Sequence, residues 1–151
     1  MCGIAGFFAA SVIADLEGYA RRMANTLGHR GPDDIGVWVD TAKGVALAHR
    51  RLAIIDLSPA GHQPMSSECG RYQLIFNGEI YNHLVLREAL GRQHWCGLSD
   101  TETFLVGCQV WGIEETLKRS VGMFALALWD QERASITLAR DRFGEKPLFY
   151  G

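Results

Sequence analysis

The sequence predicts an α+β layered fold. Segments of alternating apolar residues outnumber the helical segments, they fall in hairpin-like groups, and they do not follow the strict strand-helix alternation of a doubly wound sheet. A length of 151 residues suits one domain, and 48% hydrophobic with 21% charged residues is enough apolar material to fill a core.

Cys2 to Phe8 reads as a buried first strand. Leu16, Ala20, Met23 and Leu27 then recur at helical spacing, with Asp15, Glu17, Arg21 and Arg22 between them, which predicts an amphipathic helix. His29-Arg30-Gly31-Pro32-Asp33-Asp34 is a polar turn. Ile35, Val37 and Val39 alternate as a strand, and a second strand is expected from about Val45 to Leu57, broken by Ser58-Pro59-Ala60-Gly61. Tyr72, Leu74 and Phe76 mark another strand, which places Asn77-Gly78 at its end, and Leu86, Ala89 and Leu90 mark a helix after it. Ser99-Asp100-Thr101-Glu102 matches a capping box, and Phe104, Leu105, Cys108 and Trp111 form the stripe of the helix it starts, ended by Gly112. Apolar strands from Gly122 to Trp129 and from Ala134 to Ala139 flank the polar turn 130–133. Pro147 to Gly151 is an apolar, strand-like run that stops without polar residues, as expected of a domain interrupted before its last strands.

A net charge of −2 with scattered acidic and basic residues gives no stripe for nucleic acid and no polybasic run for a membrane surface. Small polar ligands or proteins remain as partners. Cys2, Cys69, Cys96 and Cys108 have neither C-x-x-C spacing nor paired histidines, which argues against structural zinc and for free thiols in a reducing, cytoplasmic compartment. The apolar stretch from Gly3 to Ala14 lacks a preceding Lys or Arg and is interrupted by glycine, unlike a signal peptide.

Cys2 is the residue with the most chemistry in it. Removal of Met1 would give it a free α-amine, which with a pKa of roughly 8 can take the proton of its own thiol near neutrality. The alternative is a buried strand cysteine behind a retained Met1.

Five motifs in this order, Met1-Cys2-Gly3-Ile4, His29-Arg30-Gly31-Pro32-Asp33, Leu47-Ala48-His49-Arg50-Arg51-Leu52, Asn77-Gly78-Glu79-Ile80-Tyr81-Asn82 and Ser99-Asp100-Thr101-Glu102, resemble the class II glutamine amidotransferase domain of glutamine-hydrolysing asparagine synthetases. The resemblance covers nearly the whole chain and implies an N-terminal-nucleophile hydrolase fold, a four-layer αββα sandwich of mainly antiparallel sheets. It also implies that Cys2 attacks the side-chain amide of glutamine, forms a thioester and releases ammonia. Asn77, through its side-chain amide, and Gly78, through its N–H, would stabilise the oxyanion, although Asn-Gly is equally a strong hairpin signal. Arg51 would grip the substrate carboxylate. Arg50 would not, since neighbours on a strand face opposite ways. Asp100 would receive the α-ammonium while also serving the helix start, Glu79 would line the pocket, and so would the backbone around Leu52, Ile54 and Ile55.

His29 is expected to play a structural, hydrogen-bonding part. The run Arg140-Asp141-Arg142-Phe143-Gly144-Glu145-Lys146-Pro147 also looks like a family signature, but it fits a solvated turn against a further domain equally well and is not assigned to the site. Cys69, Cys96 and Cys108 read as loop or core thiols. The chain lacks the Ser-Gly-Gly-x-Asp-Ser loop of the synthetase domain and any G-x-x-x-x-G-K-[ST]. Residues 1–151 are therefore expected to be the amidotransferase domain alone, without cofactor, with ATP and magnesium belonging to an absent C-terminal synthetase domain. A homo-oligomer, a paralogue with another ammonia acceptor and a non-catalytic glutamine-binding or interaction module stand as alternatives.

Overall fold

A computed structural model describes residues 1–9, 13–91 and 94–151; Ala10, Ser11 and Val12, in the apolar stretch considered above, lie outside the described residues. The chain is α+β, with two sheets in which every described strand pair is antiparallel. The first sheet has the order β1-β3-β2, built from β1 (Gly3–Phe8), β2 (Asp34–Asp40) and β3 (Val45–Arg51). The second has the order β4-β5-β6-β7, from β4 (Met65–Ser66), β5 (Tyr72–Ile80), β6 (Gly122–Asp130) and β7 (Ser135–Arg140). Four α-helices accompany them among the described residues: α1 (Leu16–Thr26), α2 (His83–Leu90), α3 (Asp100–Val110) and α4 (Ile113–Arg119). No described helix is long and apolar enough to cross a membrane.

Strand alternation divides the core. On β3, Ala46 and Ala48 meet Ala20 and Ala24 of α1, small residues that let the helix lie close to the sheet. Val45 and Leu47 point the other way and pack with Ile75, Ala127 and Trp129 of the second sheet. On β5, Tyr72, Leu74, Phe76 and Ile80 face Leu86, Phe104, Leu105 and Cys108 of α2 and α3. Phe76, Phe104 and Phe124 form an aromatic triangle with centroids 6.1–6.3 Å apart, a stiff backing for the middle of β5.

The structure corrects several expected boundaries. β1 is an edge strand, with Phe8 56% exposed, because among the described residues only β3 pairs with it. On α1 the buried face is Leu16, Ala20 and Ala24, while Met23 is exposed and Leu27 is the cap. β3 ends at Arg51 instead of Leu57: Asp33 accepts the Ala53 N–H on its carboxylate (2.8 Å) and donates its own N–H to the Arg51 carbonyl (3.0 Å), which turns the chain away. Asn77-Gly78 is not a turn but lies inside β5, opposite Ala125 and Phe124. The Ser99 hydroxyl caps α3 through the Glu102 N–H (3.2 Å), yet the Glu102 carboxylate takes the N–H groups of Cys96 and Gly97 instead of closing the capping box. Gly112 does end the helical stripe, with φ +83°, and a further short helix, α4, follows. Residues 147–151 are not a strand.

Candidate active site

Cys2 precedes β1, and the register Gly3↔Arg50 brings it level with the end of β3. Its Sγ accepts the Leu52 N–H at 3.4 Å and lies 3.7 Å from the Leu52 carbonyl, while Arg30 Nε donates to the Cys2 carbonyl at 3.1 Å. Within the polar turn it is therefore Arg30 that supports Cys2; His29 is exposed and does not line the cavity beside it.

That cavity, about 100 Å³, is where the nine sequence-predicted residues meet: Cys2, Arg51, Leu52, Ile54, Ile55, Asn77, Gly78, Glu79 and Asp100 all line it, and so does Met1. Arg51 and Arg50 separate as alternation requires. Arg51 is buried on the cavity, and its Nη1 donates to the Ser58 carbonyl (2.9 Å), its Nη2 to the Asp56 carbonyl. The guanidinium passes directly over Gly61, where a Cβ would meet it. Arg50 turns to the α1 side, next to Gly28.

Asp56 ties the two loops that carry the charged ends of the cavity. One carboxylate oxygen accepts the Ser58 N–H (2.8 Å) and hydroxyl (2.6 Å), the other the Leu98 N–H (2.7 Å), and the Ser58 hydroxyl leads in holding this carboxyl below its ordinary range. The 96–99 loop is fastened further by Arg87, which donates to the carbonyls of Gly97 (3.0 Å) and Ser99 (2.9 Å). Asp100 follows at the start of α3, accepting the N–H groups of Ile80 (2.7 Å) and Thr101 (2.9 Å). Burial is the main influence on Asp100 and pushes its carboxyl above the usual range, so a cation arriving in the cavity would be favoured by it.

The floor of the cavity is the outer edge of β5. In an antiparallel strand alternate N–H groups point to alternate sides. Those of Tyr72, Phe76 and Ile80 point away from β6, to the Ser67 hydroxyl (2.9 Å), the Gln63 side-chain oxygen (2.6 Å) and the Asp100 carboxylate. Gly78 shares their parity, so its N–H faces the cavity, and among the described residues no side chain takes it. A Cβ at Gly78 would strike the Met123 carbonyl and come within 2.6 Å of Phe124 Cα, which is why glycine stands here. The side chain of Asn77 shares the face of Ile75, toward the first sheet and Cys2.

Arg51, the carboxylates of Glu79 and Asp100, the Cys2 thiol and an uncommitted N–H on one cavity are groups that can hold a small zwitterion and offer it a nucleophile. The family model described as glutamine amidotransferase domain matches residues 1–151. The chain is a class II glutamine amidotransferase domain. The amidotransferase domain is 43% identical to the putative glutamine-hydrolysing asparagine synthetase of Mycobacterium tuberculosis strain H37Rv, over 99% of this chain and 25% of that protein. It is 40% identical to glutamine-hydrolysing asparagine synthetase 3 of Bacillus subtilis strain 168 (99% and 25%) and 36% identical to amidase chry2 of Gibberella zeae (99% and 24%). The chain thus spans about a quarter of the length of these relatives.

Among the cavity residues that were not assigned to the site from sequence, three carry polar contacts or charge into it. Gln63 is buried and bridges the Phe76 N–H to the Thr101 hydroxyl (3.3 Å), Asp56 joins the loops, and Lys146 lines the wall from the charged run left unassigned. Only Lys146 lay in a recognised motif. Cys69 and Cys96 are exposed free thiols, and Cys108 is buried on α3.

Proposed function

We propose that this chain is the glutaminase part of an ammonia-transferring synthetase, working through Cys2 as an N-terminal nucleophile. The observation that carries the reading is the convergence of Cys2, Arg51, Asp100 and the uncommitted Gly78 N–H on one cavity. With Met1 removed, the Cys2 amine takes the thiol proton and Sγ attacks the δ-carbonyl carbon of glutamine. The oxyanion accepts hydrogen bonds from the Gly78 N–H and the Asn77 side-chain amide. Collapse with proton transfer from the amine expels ammonia and leaves a γ-glutamyl thioester; water, deprotonated by the same amine, then releases glutamate and the thiol. Arg51 holds the substrate carboxylate, Asp100 the ammonium, and Glu79, Leu52, Ile54 and Ile55 the walls. The three apolar clusters support a four-layer αββα arrangement of the N-terminal-nucleophile type.

In this reading the ammonia passes to a C-terminal synthetase domain that uses ATP and magnesium to amidate aspartate, and the whole works in the cytoplasm. The name asparagine synthetase on relatives at 40–43% identity supports aspartate as acceptor. The different name of the Gibberella zeae relative keeps another acceptor as a second reading.

The test uses chain made to begin at Cys2 by proteolytic removal of a tag, treated with 6-diazo-5-oxo-norleucine, an electrophilic glutamine analogue, and read by peptide mass. One adduct on Cys2, absent in Cys2→Ala, together with conversion of glutamine to glutamate, is the expected result. Chain with a free Cys2 that neither labels nor hydrolyses glutamine overturns the proposal.

A further inference from the structure

Lys146 is only 5% exposed and lines the cavity. Its Nζ donates to the Met1 thioether at 3.1 Å, and a thioether is a weak acceptor for a buried ammonium. The residue is held there by Asp141, whose carboxylate accepts the N–H groups of Phe124 (3.2 Å), Phe143 (3.1 Å), Glu145 (2.9 Å) and Lys146 (3.0 Å), clamping the 141–146 turn to β6. The run that reads in sequence as a solvated turn thus aims a cation at the residue whose removal would free the Cys2 amine.

We infer that Lys146 is a positioning residue for the nucleophile: its cation favours the neutral form of the α-amine that removal of Met1 leaves on Cys2, the base that takes the thiol proton, so that Cys2 attacks at a lower pH than it would alone. The inference rests on the N-terminal-nucleophile reading. With Met1 present, its five bonds and the 3.1 Å contact put Nζ within about 10 Å of the Cys2 nitrogen, and the Asp141 clamp, which does not involve Met1, holds the Lys146 backbone in the same place once Met1 is gone. Across that distance, at an effective dielectric constant near 20, a unit charge moves a titration by about one pH unit. Arg30, Arg51, Asp56, Glu79 and Asp100 also face this region, and all five stay in place when Lys146 is changed, so the comparison isolates one charge.

The experiment uses chain beginning at Cys2, confirmed by intact mass, in wild-type, Lys146→Met, Lys146→Gln and Lys146→Arg forms. Two pH profiles are recorded between pH 5.5 and 9 (roughly the range in which amines and thiols of this kind titrate): the rate of Cys2 alkylation by iodoacetamide and kcat/KM for glutamine. Both neutral variants should move the acid limb of each profile upward by half to one unit, about a three- to tenfold loss at the acid end that alkaline buffer restores; the arginine variant should keep the wild-type limb. Superimposable profiles, a loss equal at every pH, or an arginine variant that behaves like the neutral ones overturns the inference. Wild-type chain that alkylates but does not hydrolyse glutamine overturns the glutaminase reading instead, and the alkylation profile still decides the role of Lys146.

Discussion

Acidification from pH 7 to pH 4.5 should destabilise the fold by roughly 2–3 kcal/mol through His49 alone. His49 is 1% exposed on β3, and its Nε2 lies 3.1 Å from the Phe76 carbonyl, so the neutral ring donates a hydrogen bond from the first sheet to the second, one residue from Asn77. Burial depresses its pKa from 6.5 to about 4. The unfolded chain therefore binds more protons than the folded one between those values. The stability that depends on the neutral ring is fully present above pH 6.5 and lost as pH falls toward 4, at roughly 1 kcal/mol per unit. Urea unfolding at pH 7.5, 6.5, 5.5 and 4.5 (steps chosen around the histidine range) should show this slope in wild type. His49→Gln, which keeps a donor but cannot titrate, should lack it. The depressed carboxyls of Asp56 and Asp141 lose their contribution mainly below this window, and the raised carboxyl of Asp100 acts with the opposite sign within it. All three are common to both proteins and cancel in the difference. Parallel curves for wild type and His49→Gln would refute the assignment.

Asn77→Ala should lower kcat about a hundred- to a thousandfold with little change in KM, as expected for a donor used only in the transition state; steady-state glutaminase kinetics decide it. Arg51→Ala should chiefly raise KM, because the substrate carboxylate is held in ground and transition states alike; isothermal titration with glutamate provides an independent check. Gly78→Ala forces a methyl against the β6 backbone and should cost about 1–3 kcal/mol in urea unfolding as well as activity. Arg87→Ala releases the 96–99 loop from its carbonyl contacts, so KM should rise while the Cys2 alkylation rate stays within about twofold.

Where function depends on strand parity, the sequence was legible. Alternation on β3 says that only one of Arg50 and Arg51 can enter the cavity and the resemblance says which, while Cys2, Asn77, Gly78, Glu79 and Asp100 sit in motifs whose order and spacing are visible in the chain. Parity alone could not say that β5 runs on through Asn77-Gly78, because the residues that stabilise that course are distant ones: Asp100 at Ile80, and Gly122 across the ladder. The same holds for β3, which ends because of Asp33, a carboxylate 20 residues away from its partner. Lys146 and Met1 meet across a separation of 145 residues, and no local pattern announces such a contact.

Edges of sheets invite other strands, and proteins commonly blunt them with charge, proline or a covering element. β5 is guarded differently along its outer side: the short strand β4 covers Leu74, while side chains from three separate segments satisfy Tyr72, Phe76 and Ile80 one by one. Among the described residues the interruption that remains is a single residue wide, at Gly78. An incoming strand needs a run of consecutive partners and finds none, whereas a lone carbonyl oxygen needs only one. The same edge therefore leaves nothing for a strand to extend and one N–H for a single acceptor.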